Sequence, residues 1–265
     1  MNLNHKIKIS ALIIARNEEK NIKKCLNSLT YADEVVLILD RTTDNTRKIA
    51  TKFNCVIFEG NWTSEGDRRN YGISKCKNNW ILEIDADEVA SKKLFEEAKN
   101  KILKFPYNTV GYFLIPFDNY IGKKRVRYGW GASWGVSAKP CLFHKESKIW
   151  GNQLIHPEIT LKNKLGYLEN RINHYVDTNI SDMIIRLDRY TTTKAKEIRS
   201  SGKSIPPLWI TIRRSLTRFY KCYISRKGYK ERGWGFLNAT FAALFVLISF
   251  IKADLEDDDN SPKNY

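Results

Sequence analysis

The chain has 265 residues, and its 42% hydrophobic share disfavours a disordered protein and allows one large domain with or without an appendage. Its formal net charge of +16 indicates a polyanionic partner, which composition alone leaves open among nucleic acid, an anionic membrane and phosphorylated ligands. The five cysteines include no Cys-x-x-Cys pair, which argues against a zinc ribbon and favours free thiols in a reducing compartment.

The first part of the chain alternates between strand patterns and helix patterns. Apolar runs predict strands over residues 7–15, 35–39, 56–58 and 80–84, and helical spacing predicts helices over 18–29, 44–53, 65–76 and 94–103. Lys8 and Ser10 interrupt the first run, which therefore predicts a strand and not a signal peptide. Short links between alternating elements predict a doubly wound, mostly parallel sheet with helices on both faces. Ligands bind such sheets outside the carboxyl ends of the strands.

Polar side chains are concentrated at those predicted strand ends: Asn17, Glu18, Asp40, Asp85, Asp87 and Glu88. Alternate residues of an extended chain point to the same side, so Asp85 and Asp87 are expected to converge. Two close carboxylates repel each other, and a divalent cation relieves that repulsion. Oxygen ligands suit Mg²⁺ or Mn²⁺, whose coordination shells often include ligand phosphates. The Asp-Ala-Asp sequence therefore predicts a metal–diphosphate site, and Glu88 is expected to brace the turn.

Two longer stretches carry a family resemblance: SALIIARNEEKNIKKCLNSLTYADEVVLILDRTTDNT at residues 10–46 and GDRRNYGISKCKNNWILEIDADE at 66–88. Together they resemble a family 2 glycosyltransferase of the GT-A fold, and most closely the bacterial subgroup of lipopolysaccharide core biosynthesis. The resemblance covers residues 7–100 well and 100–190 loosely. Arg41 and Thr42 depart from it, since they stand where the subgroup has a small Ser-Gly pair.

The resemblance implies a Rossmann-like GT-A domain that transfers a sugar from a nucleotide-sugar donor, a UDP-sugar first of all, with inversion and with Mg²⁺ or Mn²⁺. It implies that Glu18 and Asp40 contact the base and ribose and that Asn17 belongs to the same donor-binding loop. It places Asp85 near the ribose and assigns the metal to Asp87, with Asp85 beside it. Arg69 and Asn70 are expected near the diphosphate, where Arg68 is a competing candidate.

An inverting reaction needs a base to deprotonate the acceptor hydroxyl, and a carboxylate is the usual base. The subgroup commonly shows His-Glu where this chain has His156, Pro157 and Glu158. Glu158 is the predicted base, and Asp118 is a second candidate. His156 is expected to orient the acceptor or to complete the metal shell.

A different kind of sequence follows the break at residues 200–207. Trp209, Ile212, Leu216, Phe219 and Tyr223 recur at steps of three and four, with basic residues off that stripe. This pattern predicts an amphipathic helix suited to an anionic membrane surface. The stretch 236–251 is almost wholly apolar, and its sixteen residues would span about 24 Å as a helix, short of the roughly 30 Å hydrocarbon core. They predict a partly embedded, monotopic helix.

The resemblance implies a glycosyltransferase domain over residues 1–200, and the patterns after residue 200 predict a membrane-associated helical hairpin over 201–265. The expected enzyme lies at the cytoplasmic face of the bacterial inner membrane, uses a lipid-linked glycan acceptor and binds no nucleic acid. Two alternatives stay open. One is a nucleotidyltransferase acting on sugar phosphates, which ARNEEKN, lacking glycine, disfavours. The other is a non-catalytic basic module that binds membrane or nucleic acid, for which three carboxylates at one strand end have no purpose.

Overall fold

A computed structural model of the protein describes residues 7–105, 109–130, 136–152, 157–202 and 204–256. The chain forms two compact units, the first comprising residues 1–118 and 137–174 and the second comprising residues 119–136 and 175–265. The sequence analysis predicts a domain boundary at residue 200, which falls inside the second of these units. That boundary stays a prediction.

The first half of the first unit alternates strands and helices as predicted. Its elements are β1 (Ile9–Ala15), α1 (Ile22–Ser28), β2 (Glu34–Asp40), α2 (Thr46–Ala50), β3 (Val56–Gly60), α3 (Glu65–Lys75) and β4 (Trp80–Asp85). β1 lies between β2 and β4, and β2 pairs with β3, all in parallel register. Every residue of β1 is buried, as expected for a parallel strand covered on both faces. This arrangement confirms the predicted α/β sheet and brings the carboxyl ends of the strands to one edge.

Later strands change the character of the sheet. They are β5 (Glu88–Val89), β6 (Tyr112–Ile121), β7 (Lys124–Val126), β8 (Ala138–His144), β9 (Lys148–Trp150), β10 (Ile159–Leu161), β11 (Leu165–Tyr167) and β12 (Ile172–Asp177). The strand order is β3-β2-β1-β4-β8-β6-β12-β5, with β7 and β11 also on β6 and with β9 and β10 as a separate pair. Because few helices separate these strands, β8 pairs antiparallel with both β4 and β6. The sheet is therefore mixed: β1–β4 are parallel, and among the later strands β11 is parallel to β6.

Side-chain caps set the starts of two helices in this unit. Ser64 accepts a hydrogen bond from the Asp67 N–H at the start of α3. Ser91 accepts one from the Leu94 N–H at the start of α4 (Lys92–Lys104). α1 begins later than predicted because the N–H groups of Asn21 and Ile22 both bond the Glu18 carbonyl in a preceding turn.

The second unit is mainly helical, with α5 (Ile180–Ser200), α6 (Leu208–Tyr220) and α7 (Gly233–Leu255). Small polar residues of α6 face α7: Thr211 and Ser215 are buried, and the Ser215 hydroxyl donates to the Ala243 carbonyl at 2.8 Å. A π-helical turn at Lys221–Ser225 follows α6 directly. The helices α5 and α7 are tied by Lys252, whose Nζ donates to the Asp188 carboxylate at 2.6 Å.

α7 is longer than the sequence analysis allowed. It has 23 residues, which correspond to about 34 Å, so the prediction that the apolar helix is too short to span was wrong. The flanking residues Gly233–Gly235 and Lys252–Leu255 extend the helix beyond the apolar run. Among the described residues, α7 is the one helix that is long and apolar enough to cross a membrane. An 18-residue segment of it has a mean hydropathy of 1.9, and a third of that segment is buried inside the protein. Length and composition alone do not distinguish a span from an embedded or packed helix.

Candidate active site

The loops after β1 and β2 are joined into one polar rim at the carboxyl edge of the parallel strands. Asn17, in the left-handed region with φ of 56°, accepts the Thr43 N–H at 2.8 Å through its side-chain oxygen. The Glu18 N–H donates to the Thr46 hydroxyl at 2.7 Å. Asp44 accepts the Thr46 N–H at 2.9 Å, so its carboxylate serves the start of α2. Two of the predicted donor-binding residues therefore lie on a rim whose backbone is held by side chains.

Asp40 ends β2 as a fully buried carboxylate surrounded by donors. It accepts from the guanidinium groups of Arg41 at 3.0 Å and Arg68 at 2.9 Å, and from the Trp62 N–H at 3.2 Å. Burial raises the pKa of Asp40, but the hydrogen bonds from Arg41, Trp62 and Arg68 outweigh it and hold that pKa below its ordinary value. The Asp40 side chain is therefore an anion, and two arginines already engage it in the absence of ligand.

Arg69 and Asn70, one turn into α3, are engaged within the protein. The Arg69 guanidinium donates to the carboxylates of Glu65, Glu83 and Asp85 and lies 4.7 Å from the centre of the Trp150 ring. The Asn70 side chain donates to the Trp150 carbonyl at 2.8 Å and accepts its N–H at 3.0 Å. Both side chains fix the position of β9, and their predicted diphosphate contacts stay predictions.

A buried network of alternating charges runs beneath the strand end. In order, it joins Lys148, Glu83, Arg69, Asp85, Lys139 and Glu88. Lys148 and Glu83 are almost fully buried and pair at 2.7 Å. Each internal member contacts a charge of opposite sign on both sides, which is the condition under which buried charges are tolerated.

Asp85 and Asp87 contact different side chains, and their convergence on one metal ion stays a prediction. Asp85 accepts from Arg69 at 3.3 Å and from Lys139 at 3.0 Å, and these cations hold its pKa well below the ordinary range despite burial. Asp87 lies 3.5 Å from the His174 ring. β4 ends at Asp85, and in the turn that follows Ala86 is buried while Asp85 and Asp87 are both partly exposed.

Asp87, Glu88 and His174 form a group that could hold a metal ion. Each offers one ligand atom, and these atoms lie within 4.8 Å of one another. The residues fit a divalent cation, because Asp87 Oδ1 is buried without a hydrogen-bond partner among the described residues. Two carboxylates and an imidazole suit Mn²⁺ or Mg²⁺ completed by ligand oxygens.

Burial and neighbouring charges shift the pKa values of Glu88 and His174 in this group. Burial, followed by the charges of Asp85 and Asp87, raises the pKa of Glu88 to about 7, although Lys139 acts in the opposite direction. Burial lowers the pKa of His174, but its contact with Asp87 outweighs this effect and raises it above the ordinary value. Glu88 also accepts the Asp85 N–H at 3.0 Å, as expected for a residue that braces the turn.

The predicted base residues are not all placed by the structure. His156 lies outside the described residues. Glu158 is exposed, and its backbone carbonyl accepts the Gly151 N–H at 2.7 Å. Asp118, on β6, lies 3.5 Å from the Arg171 guanidinium. The described contacts do not bring Glu158 or Asp118 to the Asp87 group.

Sequence reasoning missed two residues of this site, Lys139 and His174. Lys139 lies on β8 and His174 on β12, strands that contact the Asp85–Glu88 turn only through long-range pairing. The pairing of His174 with Glu88 across β12 and β5 is what places the imidazole there. A lone histidine in an irregular stretch gives no local signal, so this ligand could not be read from spacing.

Several known proteins are similar to this chain. An uncharacterised glycosyltransferase of Rickettsia bellii is 25% identical over 92% of this chain and 84% of its own length. The lipopolysaccharide core biosynthesis glycosyltransferase LpsC of Rhizobium meliloti is 23% identical over 93% of this chain and 92% of its own. Among solved structures, S. aureus TarS 1–349 aligns with a TM-score of 0.49 at 16% identity, over 89% of this chain and 72% of that one.

A family model provides the assignment. The model described as glycosyl transferase family 2 matches residues 10–157, more than half of the chain, and its match includes β1, the Asp40 loop and the Asp85–Glu88 turn. The mixed sheet, the polar edge and this match together show that the chain belongs to glycosyl transferase family 2 and is a glycosyltransferase of the GT-A fold.

Proposed function

We propose that this glycosyltransferase is metal-dependent and inverting, and that it transfers a sugar from a nucleoside-diphosphate donor to a lipid-linked glycan of the cell envelope. The observation that carries the proposal is the group formed by Asp87, Glu88 and His174 at the carboxyl end of β4. The buried Oδ1 of Asp87 has no hydrogen-bond partner among the described residues, and a bound cation would satisfy it. Similarity to LpsC over nearly the whole chain supports a lipopolysaccharide-type pathway.

The residues of the proposed donor site have different roles. Asp87 and His174, with Glu88, would hold the cation, which when bound offsets the charge of the departing diphosphate. Asp85 is held as an anion by Arg69 and Lys139 and in this proposal accepts hydrogen bonds from the ribose. Asn17, Glu18 and Asp40 contact the nucleoside in this proposal, and Arg69 and Asn70 stabilise the wall of the site from behind.

Glu158 is the proposed base in preference to Asp118. The Phe117 ring contacts His174 and lies 5.0 Å from the Lys139 ammonium. Neighbouring residues of a strand point to opposite faces, so Asp118 is directed away from the metal group. In a Glu158→Gln variant, kcat is expected to fall at least a hundredfold with donor binding unchanged. Full activity in that variant would contradict Glu158 as the base and favour Asp118 or His156.

Thermal stability in the presence of nucleotide tests the donor site. A ligand that binds the folded state raises the apparent stability, so UDP with Mn²⁺ is expected to raise Tm, with ADP, GDP, CDP and dTDP as alternatives. Asp87→Asn should abolish the metal-dependent part of that rise. Glu96→Gln, an exposed charge on α4, is the matched control and should keep the full rise. If no nucleotide shifts Tm with either Mn²⁺ or Mg²⁺, the proposed donor site is wrong.

The second unit supports the membrane-facing part of the proposal. Trp209 and Leu216 on α6 are 65% and 66% exposed, whereas Thr211 and Ser215 face α7. The apolar stripe predicted for this helix therefore points outward over its first turns. Phe219 and Tyr223, later in the stripe, pack instead against a cluster of Cys222, Ala239 and Ala242. We place this enzyme peripherally at the cytoplasmic membrane face, where a lipid-linked acceptor presents its glycan.

A further inference from the structure

A cleft of about 520 Å³ lies among α5, α6 and α7 of the second unit, and no donor-site residue lines it. One side is cationic, formed by Lys194, Arg213, Arg214, Arg218 and Lys221. The other side is apolar, formed by Phe245, Val246 and Phe250 of α7. The cleft therefore combines a dense positive charge with an apolar wall, and the reaction proposed above uses neither.

The positive charge of this cleft is only partly neutralised. Lys194 pairs with Glu197 at 2.8 Å, and the Arg214 guanidinium lies 5.7 Å from the centre of the Phe250 ring. Within the part of the chain that the structure describes, Arg213, Arg218 and Lys221 have no ion pair. Arg214, Arg218 and Lys221 are four and three residues apart, which places them along one helix face where like charges repel. An anion bound among them would relieve that repulsion.

The chemistry of the walls selects the class of anion. Guanidinium groups bind phosphate oxygens through paired, charge-assisted hydrogen bonds, so two or three arginines favour a phosphate group. Inorganic phosphate would leave Phe245, Val246 and Phe250 uncovered. A phosphate that carries a hydrocarbon chain satisfies both sides of the cleft, because the chain can cover those three side chains. The exposed Trp209 and Leu216 on the same helix also favour a lipid environment.

We infer that this cleft binds the phosphate headgroup of an anionic membrane lipid, with the first part of an acyl chain against the α7 wall. The inference rests on the membrane-facing part of the proposed function and is independent of the donor chemistry. Beyond the general attraction between a basic protein and an anionic surface, the cleft is a defined site that binds one lipid molecule per chain.

Short-chain lipids test the cleft in solution, without a bilayer. Binding of dihexanoylphosphatidylglycerol to the full chain, below its micelle concentration, is followed by isothermal titration calorimetry. We expect saturable binding of one molecule per chain and little binding of dihexanoylphosphatidylcholine. The variant Arg213→Gln/Arg214→Gln/Arg218→Gln should bind at least tenfold more weakly. The matched control Lys52→Gln/Lys93→Gln/Lys104→Gln removes equal charge from exposed positions of the first unit and should bind within twofold of the parent.

Three outcomes would overturn the inference. Equal weakening by both triple variants would mean unspecific charge attraction, and equal binding of the two lipids would mean that the phosphate is not selected. Saturation of the same arginines by inorganic phosphate as tightly as by the lipid would mean a free-phosphate site. The UDP-dependent rise in Tm is measured on the same triple variant and should be unchanged. If the triple variant loses lipid binding and keeps its response to UDP, the cleft and the donor site are two independent sites.

Discussion

Glu83 lies between Lys148 and Arg69 at the buried end of the charge network beneath the strand end. One carboxylate oxygen accepts from Arg69, and the other lies 2.7 Å from Lys148 and 3.3 Å from the Trp150 ring nitrogen. Burial raises the pKa of Glu83, but Lys148 and Arg69 outweigh this effect and hold that pKa below its ordinary value. The carboxylate is thus the counter-charge of Lys148 and one of three carboxylates that Arg69 contacts.

Replacing Glu83 by glutamine should destabilise the first unit strongly. The amide removes the negative charge and leaves Lys148 buried without a counter-ion, so we expect a loss of about 3–5 kcal/mol in the free energy of unfolding. Urea denaturation measures that loss. Glu96→Gln, which removes one side of an exposed pair with Lys92, should cost less than about 1 kcal/mol. A loss below 1 kcal/mol for Glu83→Gln would show that the network relaxes or hydrates.

At the scale of elements, the helix α4 is clamped to the turn before β12 by one carboxylate. Glu97 accepts the Glu169 N–H at 2.7 Å, and the N–H and side-chain amide of Asn170 at 2.8 Å each. Lys101, one turn later, lies 3.1 Å from the same carboxylate. Burial raises the pKa of Glu97, but these hydrogen bonds outweigh it and hold the pKa below its ordinary value.

This clamp predicts a defined dependence on pH. A pKa that is lower in the folded state gives stability above the unfolded value of about 4.3, and that stability is lost as the pH falls through the folded pKa. At pH 7, Glu97→Gln should lower the free energy of unfolding by about 1–3 kcal/mol, because the amide has one acceptor oxygen for three donors. The difference from the parent protein should shrink as the pH falls from 5 toward 3. A difference that stays constant over that range would contradict the assignment.

The elements also show what local sequence could and could not reveal. The parallel strands β1–β4 and the Ser91 cap were predictable, because apolar runs, short links and a capping serine act over a few residues. The placement of His174 beside Asp87 was not, because it depends on the pairing of β12 with β5 across more than eighty residues. Tertiary pairing therefore decided which carboxylate faces the imidazole.

At the scale of the whole molecule, the basic charge and the exposed apolar residues of α6 together suggest attachment to an anionic surface. The formal net charge of +16 supplies long-range attraction, which salt weakens. The outward side chains Trp209 and Leu216 supply a contribution that salt does not screen. If both contributions act, binding to vesicles should fall with salt to a plateau set by the apolar residues.

The double variant Trp209→Ser/Leu216→Ser tests that contribution. Complete burial of an apolar side chain contributes about 1.5–3 kcal/mol, so removing two should weaken partitioning into phosphatidylglycerol-containing vesicles at least tenfold. The measurement is co-sedimentation at low and high salt, and the plateau at high salt should disappear. Leu103→Ser/Tyr167→Ser removes apolar side chains of similar exposure, 62% and 61%, from the first unit and should leave partitioning unchanged. Equal weakening by both variants would mean that general surface hydrophobicity, and not the α6 face, attaches the enzyme to membranes.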